Sequence, residues 1–398
     1  MKPLVIFSMA LLINSLPLLA QKGTSPQLEV RFQPDSIVYV YETIGPEMSK
    51  SLYTAIVQNM AIINRSELPI RIEKISIRAM RGDETLQLKN VHLDRVRKSA
   101  SKFRMLQEQG YLELYDFQFQ TSQYLKGFSL AASDSLGAKQ AVILSHETFL
   151  FEQLPDHIQV TVLGKTADGE QVTASKPLRI VNHYSQNNYI LPVKGIWTIA
   201  AGPSLIGHHR WGSIQEFAFD FIKIGAHQKT FKDEGTRLED YYAYGEPVFA
   251  VEDGVVVSAL DGISESSDNL KKPDETQEEY LKRMIPHQNE LISKGFQYVF
   301  GNHVIIRHPN NEYSSYFHLK KGSVKVNVGD MVKKGLNIGE LGHSGNSTEP
   351  HLHFHLSDGL DIMYSRSIPV EFGNVSLFPA DNGNVRHIHS GQIVSTTE

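Results

Sequence analysis

Short runs of alternating or β-branched residues recur along the first part of the chain, at 28–32, 36–41, 70–77 and 157–162. Successive side chains of a strand point to opposite faces of the sheet, so alternation of apolar and polar residues indicates a half-buried strand. Several such runs, separated by turn residues, predict an antiparallel β-sandwich up to about residue 183. A charged segment from Asp94 to Gln109 interrupts the runs, and we interpret it as a helical insertion.

A polar segment without periodicity at 182–189 is interpreted as a linker. Beyond it the chain is again rich in predicted strands, but the turn signals between them differ. Segments 244–256 and 328–341 share one pattern. In each, a turn with glycine and an acidic residue is followed by valine, and a strand follows a second turn. This weak internal repeat is typical of duplicated β-hairpins in a compact barrel or sandwich. Between the two segments, residues 274–294 have partly helical spacing, and Pro286 is expected to break or kink that helix.

These patterns predict a mainly β protein with three parts. Residues 1–20 form a signal peptide, residues 21–184 an immunoglobulin-like β-sandwich, and residues 185–398 a second β-rich domain. A helical insertion is expected near 260–298, where it would border a cleft.

The signal peptide is predicted from the distribution of charge at the amino terminus. Lys2 is the only charge in residues 1–20, an apolar run follows, and small Ala20 stands at the expected cut. An uncleaved membrane anchor is the alternative, but Asn14 and Pro17 weaken such a helix. Since no later segment is long and apolar enough to span a bilayer, we expect an exported protein, periplasmic or secreted, with no integral membrane segment after cleavage.

The composition excludes several kinds of functional site. The chain has no cysteine, which excludes disulfides, thiolate metal sites and cysteine nucleophiles. A transition metal must therefore be held by His, Asp and Glu. The net charge of −5, without a basic stripe interleaved with aromatics, argues against nucleic acid as a partner.

The most informative pattern lies at 345–356, where His351, His353 and His355 alternate with apolar residues. On a strand the three imidazoles share one face while Leu352 and its apolar partners share the other. Imidazole is the commonest protein ligand for zinc and a proton carrier near neutral pH, so this row suggests a metal-centred hydrolase. The alternative is a strand with solvated polar residues.

A catalytic metal site needs further ligands, and the chain offers three candidate places upstream. Asp220 lies between two phenylalanines in an apolar run, where a carboxylate is costly unless it is paired or bound to a cation. His208 and His209 precede it across a glycine-containing loop, and only one of these adjacent side chains is expected to coordinate. His318 lies in another short strand and could face the same cleft.

Residues 342–354, with their Ser-Thr-Glu-Pro-His-Leu-His-Phe core, resemble the signature of the lysostaphin-type (LytM-like) zinc metalloendopeptidases. The resemblance extends over roughly 190–372 and includes the motifs at 253–256, 301–308, 316–319 and 328–335. It implies a largely β, barrel-sandwich-hybrid-like fold with an open groove. It also implies a zinc-dependent endopeptidase that hydrolyses peptide bonds of bacterial cell-wall peptidoglycan by means of a zinc-activated water.

Carried over residue by residue, the resemblance implies that His209, Asp220 and His353 are the Zn²⁺ ligands. The resemblance also implies that His351 and His318 are the two catalytic histidines and that neither of them binds the metal. Eleven residues separate His209 from Asp220, whereas the family spacing is four, so the loop must fold back and His208 remains an alternative ligand. His355 occupies a position that is often acidic or polar. It could support a metal ligand as a hydrogen-bond partner, but we expect a solvated edge residue there.

A second function class stays open beside the peptidase. Catalytically silent relatives act as peptidoglycan-binding modules that activate or position another wall enzyme, but such modules tend to lose ligands. Here every required residue type is present, so we expect an active enzyme.

Overall fold

The computed structural model describes residues 27–44, 51–183, 185–205, 207–272, 274–378 and 387–397. The predicted signal peptide, residues 1–20, lies outside the described residues. Within these ranges, none of the helices combines the length and the apolar character that crossing a bilayer requires.

The first half of the described chain consists of ten strands, one long helix and three short helices that follow the long one. The strands are β1 (Leu28–Gln33), β2 (Ile37–Ile44), β3 (Ser51–Asn64), β4 (Ile70–Arg81), β5 (Glu84–Val91), β6 (Ser129–Leu130), β7 (Ser135–Leu136), β8 (Gln140–Phe151), β9 (His157–Thr166) and β10 (Gln171–Val181). The helices are α1 (Leu93–Glu108), α2 (Tyr111–Leu114), α3 (Asp116–Phe119) and α4 (Thr121–Tyr124).

These strands pair in the order β5-β4-β9-β10-β2-β3-β8-β6, with β1 on β3 and β7 on β4. Strand β9 alternates between buried and partly exposed residues, which is the pattern of a sheet with one face in a core. One apolar cluster contains Ile62 of β3, Ile75 of β4 and Val160 of β9, so the two arms of the sheet pack against each other. The mainly β prediction is confirmed, while immunoglobulin-like connectivity stays a prediction. The sheet is not purely antiparallel, because β2 pairs with β10 and β6 with β8 in parallel.

The second half has more strands and one substantial helix. Its strands are β11 (Ile196–Ala201), β12 (Phe219–Ile222), β13 (Pro247–Phe249), β14 (Gly254–Leu260), β15 (Asn302–Arg307), β16 (Tyr313–Leu319), β17 (Met331–Val332), β18 (Asn337–Glu340), β19 (Leu352–Ser357), β20 (Ser367–Ile368), β21 (Val375–Phe378) and β22 (Ile393–Thr396). The helices are α5 (Gln277–Lys294) and α6 (Phe296–Phe300), and 3₁₀ turns occur at His208–Trp211, Ala226–Gln228, Leu238–Asp240, Ser267–Asn269 and Pro309–Asn311.

Strand β19 lies in the middle of the second large sheet, whose order is β17-β14-β15-β16-β19-β12-β11-β22-β21. Leu352, Phe354 and Leu356 of β19 are fully buried in the apolar cluster of this half. The prediction that one face of this strand packs into a core is confirmed, and the histidines therefore occupy the opposite face.

Both predicted helices are present. In α1 the buried residues Val96, Ala100 and Phe103 form one stripe at helical spacing, which packs the charged segment onto β8.

Helix α5 continues through Pro286, so of the two expected outcomes the break is wrong and the kink stays a prediction. Proline there removes one backbone hydrogen bond. A capping box between Thr276 and Glu279 begins the helix, and the buried side chains of Tyr280, Met284, Leu291 and Ile292 hold one face of it. These contacts stabilise the helix on both sides of the proline.

Glu312 fastens the segment that joins the two halves. Its carboxylate accepts hydrogen bonds from Ser185, from Asn187 at 3.0 Å and from Tyr189 at 2.7 Å, and His183 lies 3.5 Å away. Burial alone would raise the pKa of Glu312, but these hydrogen bonds outweigh burial and lower the pKa to about 2.

We expect this cluster to make the protein acid-labile. The pKa of Glu312 is 4.5 in its ordinary state and about 2 when folded, so the unfolded chain binds more protons between those values. Its contribution to stability is therefore present above about pH 4.5 and is lost as the pH falls toward 2. In urea unfolding, Glu312→Gln should be less stable than the parent at pH 7, and the difference should shrink on acidification. The exposed Glu239→Gln is the control, and a pH-independent difference for Glu312→Gln would contradict the assignment.

Candidate metal centre

Asp220 and His353 face each other across neighbouring strands. The register of β12 and β19 pairs these two residues directly, and His353 Nδ1 lies 3.1 Å from Asp220 Oδ1. Both side chains are buried, while Phe219 and Phe221 on either side of Asp220 enter the apolar core. Alternation along β12 therefore turns the single carboxylate of this run toward the histidine face of β19.

His209 reaches the same carboxylate from a loop. The 3₁₀ turn His208–Trp211 brings its Nε2 to 2.8 Å from Asp220 Oδ2, although eleven positions separate the two residues. The fold-back depends on Gly207, because a Cβ atom there would lie 2.3 Å from the carbonyl oxygen of Gly202. The loop therefore returns to the sheet, as the sequence spacing requires.

Two sets of three donors share His209 and Asp220. The donor atoms of His208, His209 and Asp220 lie within 4.8 Å of one another. His353 completes the second set from the other carboxylate oxygen. The side chain of His208 is 69% exposed and its Nε2 is 3.8 Å from Asp220, whereas His209 and His353 are buried and closer. Burial and the distance to Asp220 favour the set that includes His353, whereas the mutual spacing of the donor atoms favours the set that includes His208.

His351 and His318 lie beside these donors, and His351 Nε2 is 3.7 Å from Asp220 Oδ1. His351 Nδ1 is 2.7 Å from the carbonyl oxygen of Glu349, and His318 Nδ1 is 2.8 Å from that of Ser344. A carbonyl oxygen only accepts, so each Nδ1 carries the proton. In the neutral rings Nε2 is then the nitrogen that can accept a proton.

An irregular strand aims His318 at the cluster. Its φ of 63° is unusual for a residue with a side chain, and the pairing of β15 with β16 shifts register beside it. A bulge of this kind redirects a side chain and is frequent next to active sites. It brings the ring of His318 to 4.8 Å from that of His351, centroid to centroid.

The electrostatics of the cluster suit a cation. Burial would raise the pKa of Asp220, but the neighbouring His209 and His351 hold it well below its usual range. Burial lowers the pKa of His353 to about 4 and that of His318 well below its ordinary value. A carboxylate that stays ionised beside the neutral imidazole of His353 presents lone pairs, which is what a metal ion requires of its ligands. The residues present therefore fit a metal ion.

The expectation for His355 is wrong. Its side chain is buried, not solvated at an edge, and its Nδ1 lies 3.1 Å from His353 Nε2. The ring of Phe317, on the neighbouring strand, contacts both imidazoles. Strand β19 is central in its sheet, so the third position of its histidine face is enclosed like the first two.

A cleft of about 410 Å³ opens onto the cluster, and both halves of the chain line it. From the second half come α5 and α6, as expected of the helical insertion. From the first half come Tyr115 and Phe117, which sequence analysis left without a role. Tyr115 donates a hydrogen bond of 2.9 Å to Asn289, and the ring centroids of Phe117 and Phe296 are 4.6 Å apart. The cleft therefore has a wall built between the halves, which periodicity within either half could not reveal.

Comparison with known proteins places this region in a family. Residues 286–363 match Peptidase family M23. The chain is 48% identical over 54 residues to peptidoglycan DD-endopeptidase ShyC of Vibrio cholerae, and 43% identical over 56 residues to peptidoglycan DD-endopeptidase ShyA of the same organism. These stretches are 14% of this chain in each case, and 12% and 13% of the relatives.

Among solved structures, the catalytic domain of lysostaphin from Staphylococcus simulans aligns over 46% of this chain and 86% of its own. The sequences are 20% identical there, and the TM-score is 0.23.

The family match contains His318, His351, His353 and His355, and it begins after His209 and Asp220. The first two donors are thus located by the geometry of the loop and of β12. The resemblance found in the sequence is confirmed for residues 286–363, which carry a domain of Peptidase family M23.

Proposed function

We propose that the chain is an exported zinc-dependent endopeptidase that hydrolyses peptide bonds in bacterial cell-wall peptidoglycan. His209, Asp220 and His353 are its zinc ligands, and His351 and His318 are its catalytic residues. The predicted signal peptide would bring the enzyme to the wall, and the names of the matched relatives support peptidoglycan as the substrate.

One observation carries this proposal. One imidazole from a loop and one from strand β19 converge on a buried carboxylate of β12 at the floor of a cleft, and two further imidazoles stand beside it. Two imidazoles and a carboxylate are a common catalytic zinc set, which leaves a position for water. A site that only stabilised the fold would have no need of His351 and His318 beside it.

Zinc held there supplies a Lewis acid, which makes water nucleophilic at neutral pH and polarises a carbonyl group. Asp220 contributes the negative charge of the ligand set. The strand pairing that fixes Asp220 against His353 keeps these donors in place without rearrangement.

His351 and His318 move the proton. With Nδ1 bound to a backbone carbonyl, either ring accepts a proton from the attacking water at Nε2. The water oxygen bonds to the peptide carbon, and the protonated ring donates a hydrogen bond to the resulting oxyanion or passes its proton to the departing amine. The carbon–nitrogen bond then breaks, leaving a new carboxyl group and a new amino terminus.

Digestion of purified cell-wall sacculi by the full chain tests the proposal. We expect soluble fragments with new amino termini in the presence of zinc, and none after treatment with a chelator. His353→Ala should lose both bound zinc and fragment release. His351→Ala should keep zinc and lose release by about 10²–10³-fold, which is the usual loss when one such group is removed.

Three results would contradict this account in different ways. New reducing sugars without new amino termini would exclude endopeptidase action. No release under any metal condition would favour a silent binding module. Zinc retained by His353→Ala and lost by His351→Ala would exchange the roles assigned to these two residues.

His355 orients the ligand His353 in this scheme. If Nδ1 of His353 gives its lone pair to zinc, its proton resides on Nε2 and is donated to His355 Nδ1. Loss of such a partner typically costs 10–100-fold in metal affinity. We therefore expect His355→Leu to weaken zinc binding by about that factor in competition with a chromophoric chelator, and His355→Gln, which keeps an acceptor, to weaken it less.

A buried histidine remote from the cleft serves as the control. His308 bonds to Ser314 and to the carbonyl of Asp253, so His308→Leu should lower folding stability and leave zinc affinity unchanged. Equal zinc affinity in His355→Leu and the parent would show that His353 needs no such partner.

A further inference from the structure

The segment His208–Ser213, here called the histidine loop, lies between the two halves of the chain. Four side chains of the first half bind it. They are Gln58 (to the Arg210 carbonyl, 2.8 Å), His146 and Gln118 (to the Trp211 carbonyl, 2.9 and 3.3 Å) and Gln33 (to the Ser213 hydroxyl, 3.1 Å). The loop that presents His209 is thus held by side chains of the other half.

The other two proposed zinc ligands are supported differently. Asp220 and His353 belong to paired strands, where backbone hydrogen bonds fix their positions. His209 stands on a single 3₁₀ turn, whose backbone hydrogen bonds run between neighbouring residues of the loop. The second half contributes a backbone hydrogen bond to the histidine loop, of 2.9 Å from Ser367 to the carbonyl of Ser213. A short 3₁₀ turn has poor hydrogen-bond geometry, so its position depends on what packs around it.

The first half is organised to present these donors. Asn59 donates a hydrogen bond of 2.8 Å to Gln33 Oε1 and accepts one of 2.7 Å from Ser145. The amide of Gln33 is thereby oriented so that its Nε2 donates to Ser213. Gln58 is 2% exposed, so the Arg210 carbonyl would lose a buried partner if Gln58 lost its amide.

The backbone conformation of His146 is also unusual and directs its ring at the histidine loop. Its φ of 59° is left-handed inside β8, a conformation that residues with side chains rarely adopt and that needs support from its surroundings. In this conformation its ring contacts that of Trp211, with centroids 5.1 Å apart, while Nε2 donates to the Trp211 carbonyl.

We propose that the first half of the chain is part of the metal centre, with Gln58 and His146 acting as positioning residues that hold the histidine loop so that His209 reaches the metal. This role rests on the proposed function for its metal. It needs no contact between these two residues and either metal or substrate.

Variants of the full chain test the role with two readouts. The first is zinc affinity, measured by chelator competition. The second is hydrogen exchange of the backbone amides of residues 208–213 in metal-free protein, which requires neither zinc nor activity. Gln58→Leu and His146→Phe remove the donors, and His146→Gln keeps one. The control, Gln87→Leu, alters an exposed glutamine on β5.

We expect Gln58→Leu and His146→Phe to accelerate exchange in the loop and to weaken zinc binding about 10-fold or more, in the range seen for outer partners of metal ligands. His146→Gln should restore most of the slow exchange and most of the zinc affinity, because it keeps a hydrogen-bond donor. A loss of ring packing alone would not allow this recovery. His146 is only partly buried, so its pair of variants remains informative if Gln58→Leu fails to fold.

Unchanged exchange and unchanged zinc affinity in both donor-removing variants would overturn the role. Faster loop exchange in the two donor-removing variants, combined with a parent protein that binds no zinc, would instead overturn the proposed metal and leave the bracing of the loop intact.

Discussion

The carboxylate of Asp220 is buried on a strand whose other side chains build an apolar core, and the whole site follows from that placement. An isolated buried carboxylate is strongly disfavoured, so it must be surrounded by partners that stabilise its charge. Here imidazoles from β19 and from the histidine loop provide them. Burial lowers the pKa of His353, so the negative charge of Asp220 lies beside an imidazole that stays neutral. A metal ion satisfies all of these groups at once.

Two kinds of support hold the cluster, and they differ in range. The ladder between β12 and β19 sets Asp220 against His353 through the backbone. His209 instead depends on a loop that side chains of the first half secure by hydrogen bonds. The first half also supplies Tyr115 and Phe117 to the cleft, so it shapes both the proposed metal centre and the approach to it. A division into independent halves would miss both roles.

Sequence reasoning succeeded where a local period carried the information. Alternation along 351–356 placed the histidines on one face of a strand, and an acidic residue between Phe219 and Phe221 indicated a partnered carboxylate. It failed where the outcome depends on distant neighbours. Nothing within β19 shows that the strand is central in its sheet and therefore buries His355.

Pro286 illustrates the same limit, because the cap and the buried face of α5 outweigh a local helix breaker. The contacts of Gln58 and His146 with the histidine loop join positions more than sixty residues apart. A left-handed histidine inside a strand has no signal in a single sequence. Which side chains hold His209 in place could therefore be found only from the fold.

The central claim is that the loop between His209 and Asp220 folds back so that His209, and not its neighbour His208, completes the metal site. Native mass spectrometry of the full chain, loaded with zinc and freed of excess metal, tests it directly in His208→Ala and His209→Ala. The account predicts one zinc ion per chain in His208→Ala and none in His209→Ala. Zinc lost from His208→Ala and retained by His209→Ala would contradict it.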